Sequence, residues 1–374
     1  MPKFPMPIYV TCPLLPSLED MQQELAHIWE SKFITNMGKK HYELEAKLKD
    51  ELKVLNVSIF NNGAIALLTA LKALDLPIGS EVITTPFTFA ATPHCISWNN
   101  LKPVFCDIES NTMTIDANKI EALITPHTSA ILPVHVYGFP CDVNKIESIA
   151  RKYSLKVIYD GAHVFSTEID GRGIGTFGDI TMFSFHATKL FNTAEGGCLT
   201  YNDNGLKEKI YNLRNFGIRD EDKVVDIGIN GKMNEIQAAL GLLNLKLYRE
   251  ERSKRTVVKK RYVENLSKIK RIRIPQMENG ATDSCQYFPI IIERDFPITR
   301  NALYNVLKKE NVLSRKYFYP LCSDFDPYRA LPSSTKENLP VANDIKNRVL
   351  CLPLFGALQE QEIDGICEII DNES

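Results

Sequence analysis

Short, unbroken apolar runs alternate with longer amphipathic stretches through the first 200 residues of the chain. Runs close to Ser58–Phe60, Glu81–Thr85, Pro103–Asp107, Ile131–Val136 and Lys156–Asp160 are three to six residues long and stop at Gly, Pro, Asn or Asp. That length and those stops predict strands buried on both faces. Between them, Glu43–Leu55, Ala64–Leu74 and Val143–Tyr153 carry a helical period, and Ala64–Leu74 is apolar nearly all round, which predicts a buried helix. Two further strands are expected around Met182–Phe185 and Cys198–Tyr201, then a long helix from Met233 to Tyr248. The alternation predicts an α/β fold with a mostly parallel sheet covered on both faces. Beyond residue 260, strands such as Tyr287–Ile292 alternate with helices such as Arg300–Glu310, which reads as a smaller α+β unit. The charged run from Tyr248 to Arg261 reads as a solvated helix face or a connector between the two. The expected division is 1–248 for a large domain with an N-terminal arm and 249–374 for a small C-terminal domain.

Composition narrows the classes. The chain has 374 residues, enough for about two domains. Lys plus Arg is 44 and Asp plus Glu 46, so no basic excess exists to neutralise a nucleic-acid backbone. The nine cysteines form no CxxC pair, which argues against zinc-ribbon and thioredoxin spacings and reads as buried thiols in a reducing, cytoplasmic setting. The proline-rich start has too short an apolar run for a signal peptide, and no stretch has the apolar length of a membrane span. Neither nucleic acid nor membrane is an expected partner, and no metal ligand set is visible.

In open parallel sheets, ligands bind outside the carboxyl ends of the strands. Asp160 ends one strand, His163 follows it, and Lys189 lies in the loop after another, within Ser184-Phe185-His186-Ala187-Thr188-Lys189. Taken singly each has an ordinary reading: a turn cap, a core histidine, a solvated lysine. Asn62-Gly63-Ala64 opens the buried helix, where free N–H groups can take an anion and glycine permits close approach. There is no Walker loop. Together the helix start, the strand-end acid and the later lysine are the parts needed to hold pyridoxal 5'-phosphate (PLP): a phosphate site, a partner for the pyridine nitrogen and an amine for the aldehyde.

These residues sit in blocks that resemble a known family. Phe60-Asn61-Asn62-Gly63-Ala64-Ile65-Ala66-Leu67, Thr85-Pro86-Phe87-Thr88-Phe89-Ala90-Ala91-Thr92, Asp160-Gly161-Ala162-His163, the Lys189 block with Glu195-Gly196-Gly197, and the segment from Gly228 to Ala239 occur in the order seen in DegT/DnrJ/StrS-type nucleotide-sugar aminotransferases. The resemblance runs from about Pro7 to the C-terminus. It implies an aspartate-aminotransferase-like large domain plus a smaller α+β C-terminal domain. It makes Lys189 the Schiff-base lysine, Asp160 the pyridinium partner and Phe89 a ring stacked on the cofactor. His163 stands where many members carry Gln beside the cofactor's 3'-oxygen. Gly63, Ala64 and Ser184 would hold the phosphate, and Asn230 would reach the phosphate of the neighbouring subunit in a homodimer. Tyr317-Phe318-Tyr319-Pro320 is similar to the family's aromatic segment near the substrate, with core packing as the other reading of Tyr317 and Tyr319. Two positions depart from the pattern. Ala64 stands where a hydroxyl residue is common, and Lys232 stands where Arg is usual, keeping charge without bidentate geometry.

Related dehydratases carry His in place of the lysine, so Lys189 implies transamination. The resemblance implies L-glutamate as amino donor and a keto-6-deoxy nucleotide sugar as acceptor, most like the branch that makes dTDP-4-amino-4,6-dideoxyglucose for surface glycans such as lipopolysaccharide O-antigen. Amination at C3 and a non-catalytic sensor on the same fold are the alternatives.

Overall fold

The computed structural model describes residues 2–277 and 280–374. Its central element is a seven-stranded sheet built from β1 (Asn56–Phe60), β2 (Glu81–Thr84), β3 (Lys102–Phe105), β4 (Thr128–Leu132), β5 (Lys156–Asp160), β6 (Ile180–Ser184) and β7 (Gly197–Tyr201). The spatial order is β1-β7-β6-β5-β4-β2-β3. The pairs within β3-β2-β4-β5-β6 are parallel, and β7 runs antiparallel to both its neighbours. Every residue of β1 and β7 is buried, as a sheet covered on both faces requires. The expected mostly parallel sheet is therefore present, with one strand reversed.

Strand boundaries follow local chemistry. The run expected at Ile131–Val136 is a strand only to Leu132, because Pro133 has no N–H for the ladder and the chain then turns through Val136–Gly138. Lys156–Asp160 and Val143–Tyr153 fall where the pattern placed them. One register matters for function: Gly197 of β7 lies opposite both Phe60 of β1 and Ser184 of β6. The carboxyl ends of β1 and β6 are thus held one strand apart.

Helix α1 (Gly63–Ala73) follows β1 directly and buries seven of its residues. Helix α2 (Ala91–Trp98) follows β2 by a short loop. The long helix α3 (Glu235–Leu266) opens with a capping box between Asn234 and Gln237. It does not stop at Tyr248 as its apolar pattern predicts. Its first half packs Ala238, Leu242 and Tyr248 into the core under the large sheet, and its second half packs Val258, Tyr262 and Leu266 into a separate core. The expected boundary between 248 and 249 falls inside this helix. The charged run is the stretch between the two cores, which explains both its polarity and its continuity.

The second core lies against a three-stranded antiparallel sheet of β8 (Ile272–Arg273), β9 (Phe288–Ile292) and β10 (Val349–Leu352), with helices α4 (Arg300–Lys309) and α5 (Glu360–Asp371). Phe4 and Ile8 pack into this core, and Ile8–Tyr9 pairs with Val312–Leu313, so the stretch from Phe4 to Tyr9 attaches to the C-terminal unit. Eight of the nine cysteines are buried and none is bonded to another. Among the described residues no helix is long and apolar enough to cross a membrane, and no cluster of His, Cys, Asp and Glu could hold a metal.

Candidate active site

The loop from Asn61 to Gly63 turns β1 into α1. Asn62 caps the helix, its Oδ1 accepting from the Ile65 N–H at 2.8 Å while its carbonyl accepts from Ala66. The N–H groups of Gly63 and Ala64 belong to the first helical turn and have no acceptor within the helix. They line a cavity of about 470 Å³ at the carboxyl ends of the strands, beside the Ser184 side chain. The approach is close enough to demand glycine at 197 and to leave little room for a side chain at 63. A Cβ at Gly197 would come 2.7 Å from Gly63 Cα, and one at Gly63 would come 3.3 Å from Ser184 Oγ. Two free N–H groups, a hydroxyl and the positive end of a helix converge there, which fits a phosphate. We expect Gly63→Ala to weaken PLP binding about tenfold by crowding this cradle; fluorescence titration of the cofactor checks it, and unchanged affinity would remove Gly63 from phosphate binding.

Asp160 ends β5 and is buried. Its Oδ2 accepts from Thr92 Oγ1 at 2.8 Å and its Oδ1 from the Ala162 N–H at 3.1 Å. Burial raises its pKa, and these two donors and the Lys189 charge oppose the rise only in part. A carboxylate that gains this little inside the chain is placed to gain more from a cation in the cavity, such as a protonated pyridine nitrogen.

His163 is buried three residues on, and its Nδ1 accepts from the Tyr137 N–H at 3.1 Å. That backbone donor fixes the tautomer: the proton sits on Nε2. Burial, with the Lys189 charge adding to it, pushes the imidazole well below its ordinary pKa, so it stays neutral. A neutral His163 therefore has an N–H to donate and no charge to add.

Lys189 is half-buried in the cavity wall, 5.9 Å from the centre of the Tyr287 ring. Burial lowers its pKa to about 8, with Asp160 pulling the other way. An amine with a pKa so close to neutrality is a usable nucleophile and proton carrier. Phe89 also lines the cavity and is 65% exposed, an unusual state for a ring so near the core. Such a ring is suited to stack on a planar ligand. Bound here, PLP would supply the electron sink and the amine carrier; Gly63, Ala64 and Ser184 would hold its phosphate, Asp160 its nitrogen, His163 its oxygen and Lys189 its aldehyde carbon.

The cavity thus gathers Gly63, Ala64, Phe89, Asp160, His163, Ser184, Lys189 and Tyr317. Three residues named from the sequence lie elsewhere. Tyr319 does not line the cavity: its ring lies 5.3 Å from the Arg300 guanidinium, and Phe318 fills the wall beside Tyr317 instead. Asn230 is exposed, with its carbonyl accepting from Asn61 Nδ2 at 3.2 Å. Lys232 is buried, and its Nζ donates to Asn215 Oδ1 at 2.7 Å rather than reaching the cavity. Thr92, Tyr137, Phe318 and Tyr287 serve the site without having been singled out. Thr92 lies in a block that the resemblance contained; Tyr137 acts through its backbone N–H, which no side-chain pattern reports.

The chain is similar to known proteins along nearly its whole length. The model of the DegT/DnrJ/EryC1/StrS aminotransferase family matches residues 17–371. The dTDP-4-amino-4,6-dideoxy-D-glucose transaminase of Shigella dysenteriae is 45% identical over 97% of this chain and 98% of its own length. The enzyme of that name from Escherichia coli is also 45% identical over 97% of this chain and 98% of its own. Among solved structures, DesI in the presence of its TDP-sugar product superimposes with a TM-score of 0.94 at 31% identity, covering 100% of this chain and 94% of that one.

Proposed function

The chain belongs to the DegT/DnrJ/EryC1/StrS aminotransferase family, whose members use PLP, and from that premise we propose that it aminates C4 of dTDP-4-keto-6-deoxy-D-glucose, giving dTDP-4-amino-4,6-dideoxy-D-glucose. L-Glutamate is the donor in this reading and leaves as 2-oxoglutarate. The observation that carries the reading is the grouping of Lys189, Asp160 and His163 around one cavity with a phosphate cradle at its edge. The sugar and the position of amination rest on the likeness to the two transaminases above.

Each residue has a task the geometry suits. Lys189, at a pKa of about 8, accepts and returns a proton at the carbon that gains the amine. Asp160 stays charged against the pyridine nitrogen. His163 would donate Nε2–H to the cofactor's 3'-oxygen without competing for a proton. Phe89 covers one ring face and Tyr317 borders the space left for the sugar.

The working unit in this reading is a homodimer in which Asn230 serves the neighbour's phosphate. The segment around it leaves Phe216, Val225 and Ile227 exposed, an apolar surface that a second subunit would cover.

The test is incubation of the cofactor-loaded enzyme with L-glutamate and a panel of keto nucleotide sugars, with NMR of the products. The expected product carries its amine at C4 of the dTDP sugar. Amination at C3 would replace the substrate assignment, and no amination of any member of the panel would overturn the reading.

A further inference from the structure

The lead-in to β9, residues 284–287, comes from the C-terminal unit and touches the site three times. Ser284 Oγ donates to the His163 carbonyl at 2.7 Å. The Tyr287 ring packs edge-on against His163, 5.0 Å between centres, and faces Lys189. Between them, Gln286 Oε1 accepts from the Leu190 N–H at 2.8 Å and its Nε2 donates to the Thr188 carbonyl at 3.0 Å. The orientation of that amide is unambiguous, since one partner only donates and the other only accepts. Gln286 is buried, so these bonds have little water to compete with them.

The two bonds fall on either side of Lys189. They hold the backbone on both flanks of the residue whose own Nζ has no hydrogen bond among the described residues. From this geometry we propose that Gln286 is a positioning residue that fixes the Lys189 backbone and so aims its amine into the cavity. The inference rests on Lys189 being the amine that carries the cofactor.

The lead-in is itself tied to the long helix. Arg255, buried and ion-paired with Glu251 at 2.7 Å, donates to the Cys285 carbonyl at 3.4 Å. Lys259 pairs with Asp283, whose Oδ1 accepts from the Cys285 N–H at 2.7 Å. Helix α3, which carries both cores, therefore sets where Gln286 stands. Through this strap the C-terminal unit bears on the Lys189 loop.

The experiment compares Gln286→Ala and Gln286→Glu with the wild-type holoenzyme. The Glu variant keeps the volume and the acceptor for Leu190 but loses the amide donor to Thr188. Two quantities are read: the kcat and KM of amine transfer, and the pH titration of the visible band of lysine-bound cofactor. A loosely aimed amine costs about 10–100-fold in rate. We expect kcat to fall by that factor in the Ala variant, with KM changed less than about twofold, and the band to titrate at a displaced pH. The Glu variant is expected between the two. A folded Ala variant with a lower melting temperature but wild-type kcat and titration would overturn the inference, because packing alone would then explain Gln286. Should only the Glu variant fold, its kcat and titration decide by the same standard; failure of both to fold also overturns it. A wild-type holoenzyme without the band would instead remove the assignment of Lys189 on which the inference stands.

Discussion

Lys189→Ala is expected to lower amine transfer by at least about 10⁴-fold, because it removes the covalent amine and the proton carrier together. The loss should not come from unfolding. Lys189 is a partly buried cation, and the Asp160 charge offsets its lost hydration only in part. Removing such a group relieves a burial penalty rather than breaking a pair. The variant is therefore expected to melt at or above the wild-type temperature in the cofactor-free state. Single-turnover kinetics with saturating donor and a calorimetric scan measure the two effects separately. A variant that loses activity only in proportion to lost stability would contradict the role.

Asp160→Asn is the second large effect. The substitution keeps the shape and one acceptor for Thr92 or Ala162, and removes the charge. We expect a fall in kcat of about 10²–10³-fold, the usual consequence of losing one preorganised electrostatic contact. Its effect on stability has the opposite sign. The Asp160 pKa is raised in the folded chain, with burial the largest cause. A carboxyl with a raised folded pKa binds its proton more tightly when folded, so the folded state loses stability as pH rises through the ordinary carboxylate range towards the raised value. At neutral pH, above the ordinary carboxylate range, more of that penalty is present than near pH 4 when no cation stands opposite. The cofactor-free Asp160→Asn chain should thus be at least as stable as wild type near pH 7, and less different from it near pH 4. Melting curves at the two pH values check this; a large drop in stability at pH 7 would mean that Asp160 serves the fold first.

This division between chemistry and fold bears on what the sequence can show. Strands were legible because a sheet covered on both faces forces unbroken apolar runs, as in Lys156–Asp160, and because Asp, Gly or Pro stops them. The helix at Leu18–Ser31 was not legible, since it buries only Ile28 and so carries no continuous apolar stripe. The length of α3 was hidden for a related reason: its buried face changes as it passes from one core to the next, so the helical period breaks around residue 249.

The site divides in the same way. Asp160, His163 and Lys189 stood out because they lay in ordered blocks and, with the helix start at Asn62, made up a set of parts for one cofactor. Gln286 and Ser284 did not, since they act on backbone carbonyls and N–H groups about 100 residues away in sequence. Tyr319 stood out for its aromatic ring, yet its position two residues from Tyr317 does not bring it to the same wall. Spacing reports direction only when the backbone conformation between two residues is known.

The account depends most on one amine. Reducing the PLP-loaded wild-type enzyme with borohydride fixes the cofactor to whichever lysine bears it, and peptide mass mapping locates the adduct. The account predicts a single adduct on the peptide containing Lys189 and none after Lys189→Ala. An adduct on another lysine, or tightly bound cofactor that reduction fails to attach, would contradict it.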